Sequence, residues 1–287
     1  MPELPEVESA RAAIERAGLE RRIADVDDAD TYECRPHHPG EIRDALVGRS
    51  LTAAHRQGKS MWCDTSGTGR SQTPGPELGI HLGMSGRIVI TPPTVADADA
   101  DSVVARSTTG GDYQGTRSSK SVISPRNPAW NRFTLFFEDG GELRLFDKRR
   151  LGRVRLDPDR SDLGPDAQDI TLAQFRQRIG KGKAPLKARL LDQSAIAGIG
   201  NLLADETLWQ AHLSPLRPSG ELDDDELAAL RRALRTATRA AIKHGGVHTG
   251  TFIRHRSRDG HCPRCGAEVK RATVGSRTTY WCPDEQQ

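Results

Sequence analysis

The feature that most limits what this chain can fold into is a change of hydrophobic period near Asp157. Upstream, apolar residues gather into short segments with strand character: Arg22–Val26, Leu51–Arg56, Ser60–Asp64, Gly79–Ile90, Phe133–Glu138 and Glu142–Phe146. Gly and Asp-Gly turns separate several of them, as EDGGE does before Leu143. Downstream, apolar residues fall at helical spacing over Leu172–Ile179, Leu186–Leu191, Asn201–Ala211 and Asp223–His244. The last segment opens on the acids Asp223–Asp225, which suit a helix N-terminus, and closes on Gly245-Gly246. The predicted fold is therefore α+β and multidomain, a β-rich first part followed by a helical one. At 287 residues the chain is long enough for two separate cores.

Two further segments refine this division. Val7, Ala10, Ile14 and Ala17 stand at helical spacing, with Pro5 compatible with a first turn and Gly18 as a stop, so a helix is predicted almost at the chain start. Thr91–Pro128 is dominated by Ser, Thr, Gly, Asp and Pro, too poor in apolar residues to offset its ordering entropy, and reads as a disordered insertion. The predicted modules are 1–157, with 91–128 as the insertion, then 158–246, then 247–287, the last a small β-hairpin carrying cysteines.

Composition excludes some classes. No apolar run approaches the roughly 20 residues needed to span a bilayer, so no membrane partner is expected. The opening MPELPEVESA has acids where a signal peptide carries positive charge, which predicts a cytoplasmic protein. Five cysteines occur, three of them Cys262, Cys265 and Cys282; the odd count without an export signal favours a metal site over disulfides. A net charge of +3 does not by itself indicate nucleic acid. Local charge says more: Thr251–Arg277 holds seven Lys or Arg against two acids, and Asp147–Arg153 reads DKRRLGR. Either run alone is most simply a solvated face, but two beside a cysteine knuckle point to phosphate binding.

The N-terminus offers unusual chemistry. A small residue after Met1 permits removal of that methionine, which leaves Pro2 with a free secondary amine. An α-amino group titrates at about 7.7 to 8.0, against about 10.4 for lysine, so a useful fraction is neutral and nucleophilic at cellular pH. Glu3 adjoins it and Glu6 follows one helical turn later, placing two carboxylates where protons must move. Taken alone, prolines that start a helix and acids that favour its dipole explain the same residues.

They do not stand alone. MPELPEVE, HLGMSG (His81–Gly86), DKRRLG (Asp147–Gly152), LLDQSAIAGIGNLLADE (Leu190–Glu206) and a C-terminal CPRCG with GSRTTYWCP follow one another in this order. In that order they resemble the formamidopyrimidine and endonuclease VIII family of DNA glycosylases along nearly the whole chain. The resemblance implies an N-terminal helix with a β-sandwich, a helix-two-turn-helix domain and a C-terminal zinc-finger-like hairpin. It implies Pro2 as nucleophile, Glu3 as general acid/base and Lys59, in QGKSMW, as a lysine that contacts phosphate near the lesion. Met84, Arg149 and Leu151 resemble the wedge that fills the gap left by an extruded nucleotide, with Leu151 where the family carries an aromatic. A wedge is needed because the target bond is inaccessible inside a stacked duplex. GIGN (Gly198–Asn201) reads as a helix start with Asn201 as N-cap, and its N–H groups and the Asn201 amide as a phosphate site. His81, Arg150, Lys187 and Arg277 are further phosphate contacts implied by the resemblance, Arg277 in the hairpin turn.

The finger departs from the pattern. Cys262 and Cys265 match the first pair, but the second, expected as C-P-x-C, reads Cys282, Pro283, Asp284, Glu285. Closed zinc sites take four ligands and a carboxylate can serve, so Glu285 or Asp284 is the candidate fourth beside the three sulfurs, with His261 a less natural substitute. The implied function is base excision repair by a monomer on double-stranded DNA carrying damaged bases or abasic sites. Base removal would be coupled to strand nicking. The competing readings are a non-catalytic binder of damaged DNA and a family enzyme devoted to an unusual adduct.

Overall fold

The computed structural model describes residues 2–69, 73–93 and 127–287. Most of the segment read as a disordered insertion, 94–126, lies outside the described residues. The chain divides into two compact units, one holding Pro2 and Val7–Asp159, the other Glu3–Glu6 with Arg160–Gln287.

In the first unit, helix α1 (Leu4–Ala17) buries Val7, Ala10, Ala13 and Ile14 along one stripe, as their spacing requires. Pro5 lies in its first turn, where a missing N–H is harmless, and the Gly18 N–H closes on the Ile14 carbonyl at 2.7 Å. Two four-stranded antiparallel sheets follow. One has the order β1 (Ile23–Asp27), β6 (Asn131–Phe137), β7 (Glu142–Phe146), β5 (Arg87–Ile90). The other has the order β2 (Leu51–Gln57), β3 (Ser60–Thr65), β4 (Leu78–His81), β8 (Arg153–Leu156). Their inner faces supply a single core, Ile23, Phe133, Leu135, Leu143 and Ile88 from the first sheet and Leu51, Met61, Leu78, Ile80 and Val154 from the second, to which α1 adds its stripe.

The sequence pattern departs from this sandwich in three places. Gly79–Ile90 is two strands, β4 and β5, in different sheets. Gly83 takes φ +58 and the Gly86 N–H closes on the Leu82 carbonyl at 2.8 Å, so HLGMSG turns the chain from one sheet to the other. β8, short and rich in arginine, was not anticipated. Nor was the short helix α2 (Glu41–Leu46), which has no side-chain cap of its own. It is held instead by Asp28, whose carboxylate accepts from the N–H groups of Gly40, Ile42 and Arg43.

The second unit contains α3 (Leu172–Ile179), α4 (Leu186–Leu191), α5 (Asn201–Gln210) and α6 (Asp224–His244), each within a residue of its expected bounds. Thr171 with Gln174, and Asp223 with Glu226, form capping boxes at the starts of α3 and α6. Gly245 ends α6 at φ 88, a left-handed position where glycine carries no steric penalty. Leu186, Leu190, Ile199, Leu203, Leu208, Leu230 and Leu234 form the core of the helices, joined by Leu4. The hairpin is β9 (Lys270–Val274) with β10 (Arg277–Trp281), turned by Gly275 and Ser276 at φ 56 and 59, both positive as a two-residue I′ loop requires. Between Gly246 and Cys262 the described residues form no strand. That segment forms 3₁₀ turns at Val247–Thr249 and Ile253–His255, and β9 begins beyond the first two cysteines. Among the described residues no helix is long and apolar enough to cross a membrane.

Candidate active site

The second unit holds the two N-terminal carboxylates. Glu3 is 1% exposed, and its two oxygens accept from the Leu202 and Leu203 N–H groups, each at 2.9 Å. A buried helix start leaves N–H groups that need acceptors, and a carboxylate supplies both the acceptors and the charge that suits the dipole. Asn201 is therefore not the N-cap: Gly200 occupies that position without a side-chain cap. A Cβ on Gly200 would stand 2.2 Å from the Glu3 carboxyl carbon, which is why glycine is required there. Just beyond GIGN, the Leu202 and Leu203 N–H groups are taken by Glu3, and the Asn201 amide, expected at a phosphate, donates to the Thr278 carbonyl at 3.1 Å.

Glu6 is the second carboxylate. It accepts from the Glu3 N–H at 2.9 Å and the Val247 N–H at 2.7 Å. Burial pushes its carboxyl from 4.5 up to about 7, against the two N–H donors, and the neighbouring Glu3 adds to the rise. One acid is thus fixed at a helix terminus, where both hydrogen bonds favour the anion, while the other titrates near neutrality. Both adjoin the backbone that leads to half-buried Pro2.

The first unit gathers the other expected residues on neighbouring loops. Lys59 sits in a two-residue hairpin loop after Gly58, whose φ of 60 suits the first position of such a turn. Ser60 pairs across the sheet with His81, whose Nδ1 accepts from the Gly83 N–H at 3.0 Å. Burial, with Lys59 and Arg155 adding to it, lowers the His81 pKa and keeps the ring neutral. The DKRRLG loop is organised by Asp147, a fully buried carboxylate that accepts from the Ser85 hydroxyl and from the N–H groups of Arg149 (3.0 Å), Leu151 (2.8 Å) and Gly152 (2.9 Å). Burial works against its ionisation, but these four donors hold its pKa below the ordinary value. A Cβ on Gly83 would lie 2.2 Å from the Leu151 carbonyl oxygen, so HLGMSG and DKRRLG pack backbone to backbone. The loops then present Met84, 37% exposed, an exposed Arg149 and a half-buried Leu151. Arg150, also exposed, pairs with Asp30 at 2.7 Å.

Lys187 requires a correction. It is fully buried, with Nζ 2.7 Å from Asp205 and 2.8 Å from the Thr279 hydroxyl. Arg256 completes the group at 2.7 Å from the other Asp205 oxygen, and donates to the Thr278 carbonyl. A buried ammonium needs its counter-charge, so Lys187 ties α4 to α5 and β10 and offers no surface to phosphate. Arg277, by contrast, is exposed at the start of β10.

Models of known families match on both sides of this division. Residues 1–154 match the formamidopyrimidine-DNA glycosylase N-terminal domain, and residues 163–252 the H2TH domain of the same enzymes. The chain belongs to the formamidopyrimidine-DNA glycosylase family. It is 32% identical to the formamidopyrimidine-DNA glycosylase of Roseiflexus sp., covering 100% of both chains, and 31% identical to that of Chloroflexus aggregans, covering 99% and 98%. Among solved structures, that of Lactococcus lactis Fpg with DNA containing N7-benzyl-Fapy-dG shares its fold at a TM-score of 0.76 and 23% identity, over 100% of each chain.

In this family member the finger brings three sulfurs together. The Sγ atoms of Cys262, Cys265 and Cys282 lie within 4.8 Å of one another. Thiolates at about 2.3 Å from one zinc ion stand a little under 4 Å apart, so three of the four tetrahedral positions fit. The indole of Trp209, stacked on Phe252, donates to Cys262 Sγ at 3.4 Å. Glu285, expected as fourth ligand, does not join the sulfurs. Its carboxylate is held by Arg264 at 3.0 Å and His212 at 3.2 Å, and Arg264 lies over the Trp209 ring at 4.1 Å. Sequence reasoning missed Asp147, Asp205 and Glu206, whose carboxylate accepts from the buried Phe252 N–H at 2.9 Å. All three lie inside quoted motifs, and acids within an apolar or basic motif were the available signal.

Proposed function

We propose that this family member is a bifunctional DNA glycosylase and abasic-site lyase acting on double-stranded DNA with damaged bases or abasic sites. The observation that carries the reading is the pair of carboxylates that follow Pro2, Glu3 buried and fixed and Glu6 half-buried and titrating near 7. With Met1 removed, the Pro2 amine attacks C1′ of the extruded nucleotide, the bond to the base breaks, and the base leaves with a proton. Nitrogen then loses its own proton and the sugar ring opens to an iminium. Removal of the acidified C2′ proton expels the 3′ phosphate and nicks the strand. Glu3 serves as the general acid/base at the reacting sugar, while Glu6 supplies and recovers protons near neutral pH.

Beside these carboxylates the second unit has a cavity of about 410 Å³ lined by Leu203, Glu206, His244, Val247, Thr251 and Arg254 among others. Leu203 and Val247 are the residues whose N–H groups hold Glu3 and Glu6. Its size falls within the range of small-molecule sites, and it is suited to an extruded base. Lys59, His81, Arg150 and Arg277 are proposed phosphate contacts, and Met84, Arg149 and Leu151 the wedge. Zinc, held by Cys262, Cys265 and Cys282, would be structural and would brace the hairpin that carries Arg277.

The test is borohydride trapping on abasic-site DNA. Protein with Met1 removed should form a covalent complex, and the same protein with an N-terminal extension, verified uncleaved by mass spectrometry, should form none, because proline inside a chain has no basic nitrogen. No trapped complex with processed protein would reduce the reading to a DNA-binding protein. A fully active extended protein would remove Pro2 from the mechanism.

A further inference from the structure

In the first unit three guanidinium groups crowd one exposed tyrosine. Tyr32 is 45% exposed, and the Cζ atoms of Arg35, Arg153 and Arg150 lie 3.9, 5.1 and 5.6 Å from its ring centroid. Like charges do not gather without a reason. Stacking on an aromatic face holds a guanidinium by its plane and leaves its in-plane N–H edge for a planar or tetrahedral anion.

The nearby carboxylates neutralise Arg150 and, among the described residues, leave Arg35 and Arg153 without a counter-charge. Asp30 is engaged by Arg150 at 2.7 Å and Arg132 at 3.5 Å, and Asp28 faces the start of α2. Glu33 is fully buried, and burial together with Asp147 pushes its carboxyl up to about 8, so it carries little charge at neutral pH. Arg35 and Arg153 donate to backbone carbonyls, those of Tyr32 and Gly152, and among the described residues neither has an ion-pair partner. Arg155, whose Nε donates to the Arg35 carbonyl at 3.1 Å, adds charge alongside. The cluster is also continuous with the DKRRLG loop, since Arg150 belongs to that loop and stands over the ring.

We propose that Tyr32, Arg35 and Arg153 form a phosphate-binding platform for the DNA backbone that runs past the Arg149–Leu151 loop. The proposal rests on the reading of this chain as a DNA-binding glycosylase; it adds Tyr32 and Arg35, which neither the motifs nor the family resemblance supplied, and gives Arg153, the end of the DKRRLGR run, a specific place. Tyr32 orients the two guanidinium groups, and Arg35 and Arg153 each meet a phosphodiester oxygen.

Salt dependence tests it. A contact to one phosphate contributes about 0.9 to the slope of log affinity against log salt. Binding is measured on a duplex with a central reduced abasic site and on the same duplex undamaged. The double variant Arg35→Gln with Arg153→Gln should lower the slope by about 2 and weaken binding to both duplexes alike. Arg35→Lys with Arg153→Lys keeps both charges and should keep most of the slope. Arg22→Gln with Arg43→Gln removes two exposed arginines that already face Glu138 and Asp25, and should leave the slope close to that of the wild type. An unchanged slope in the first variant, or an equal fall in the last, overturns the platform and leaves the glycosylase reading intact. Wild-type protein that binds neither duplex overturns both.

Discussion

Glu3 carries more structural duty than its place beside Pro2 implies. Its two oxygens terminate α5, so a change there alters a helix end as well as a proton carrier. Glu3→Gln keeps the shape but has one acceptor where two N–H groups need one each. Base excision should fall by about 100 to 10,000-fold, the usual worth of general acid/base catalysis, while lyase action on a pre-formed abasic site falls less. Single-turnover rates on both substrates check this, with circular dichroism to verify folding; equal losses would contradict the assignment. Glu33 allows a cleaner test. Its carboxyl is raised in the fold from 4.5 to about 8, so the native state binds the proton more tightly than the unfolded chain does. The stabilisation is complete below about pH 4.5 and is lost as pH rises to about 8. Glu33→Gln keeps a donor toward Asp147 and cannot ionise, so it should match the wild type in melting temperature near pH 5 and exceed it by several degrees near pH 8.5. A constant offset across that range would show that Glu33 does not titrate in it.

At the scale of elements, what the sequence made legible was whatever its local pattern could encode. α3 and α6 are amphipathic and open on capping boxes built from adjacent residues, α4 and α5 follow from their apolar spacing, and most strands of the sandwich are bounded by turns. What stayed hidden depends on distant partners. α2 relies on Asp28, twelve or more residues away. β4 and β5 merged because an apolar run does not reveal which sheet each half joins. Asn201 looked like a cap because nothing local shows that Glu3, about 200 residues earlier, fills that place. Lys187 looked like a phosphate ligand because its partner Asp205 lies on another helix. The finger combines both cases. Its cysteines were legible, whereas the engagement of Glu285 by Arg264 and His212 was not. That engagement predicts a weak zinc site, three sulfurs with the fourth position left to solvent or to a carboxylate that must first leave Arg264 and His212. Glu285→Cys should reverse this. Outer-shell partners alone are worth about 10 to 100-fold in metal affinity, so a restored direct ligand should slow zinc loss to a chelator by at least that factor. The surface ion pairs it removes are worth little. Zinc release at the same rate in both proteins would detach Glu285 from the metal account.

The molecule as a whole poses the question of which lesion it takes, and the decisive stretch is the connection from α6 to the finger. Gly246 and Cys262 are separated by 15 residues, and they fold into two 3₁₀ turns on their own unit. Val247 is held by Glu6, Phe252 by Glu206 and Arg256 by Asp205. A segment pinned at three points to acidic side chains has little freedom to fold over a base, and it borders the 410 Å³ cavity through Val247, Thr249, Gly250, Thr251 and Arg254. Discriminating one oxidised purine from a normal one requires buried donors and acceptors matched to that base. The cavity offers Glu206, Gln210, His244 and Arg254, but Glu206 is already engaged by the Phe252 N–H and by Gln210. Selectivity for 8-oxoguanine should therefore be low, and formamidopyrimidines, oxidised pyrimidines and plain abasic sites should be processed faster than 8-oxoguanine opposite cytosine. Single-turnover rates on matched duplexes that differ only in the central lesion measure the order directly. If 8-oxoguanine opposite cytosine is the fastest substrate, recognition comes from outside this connection.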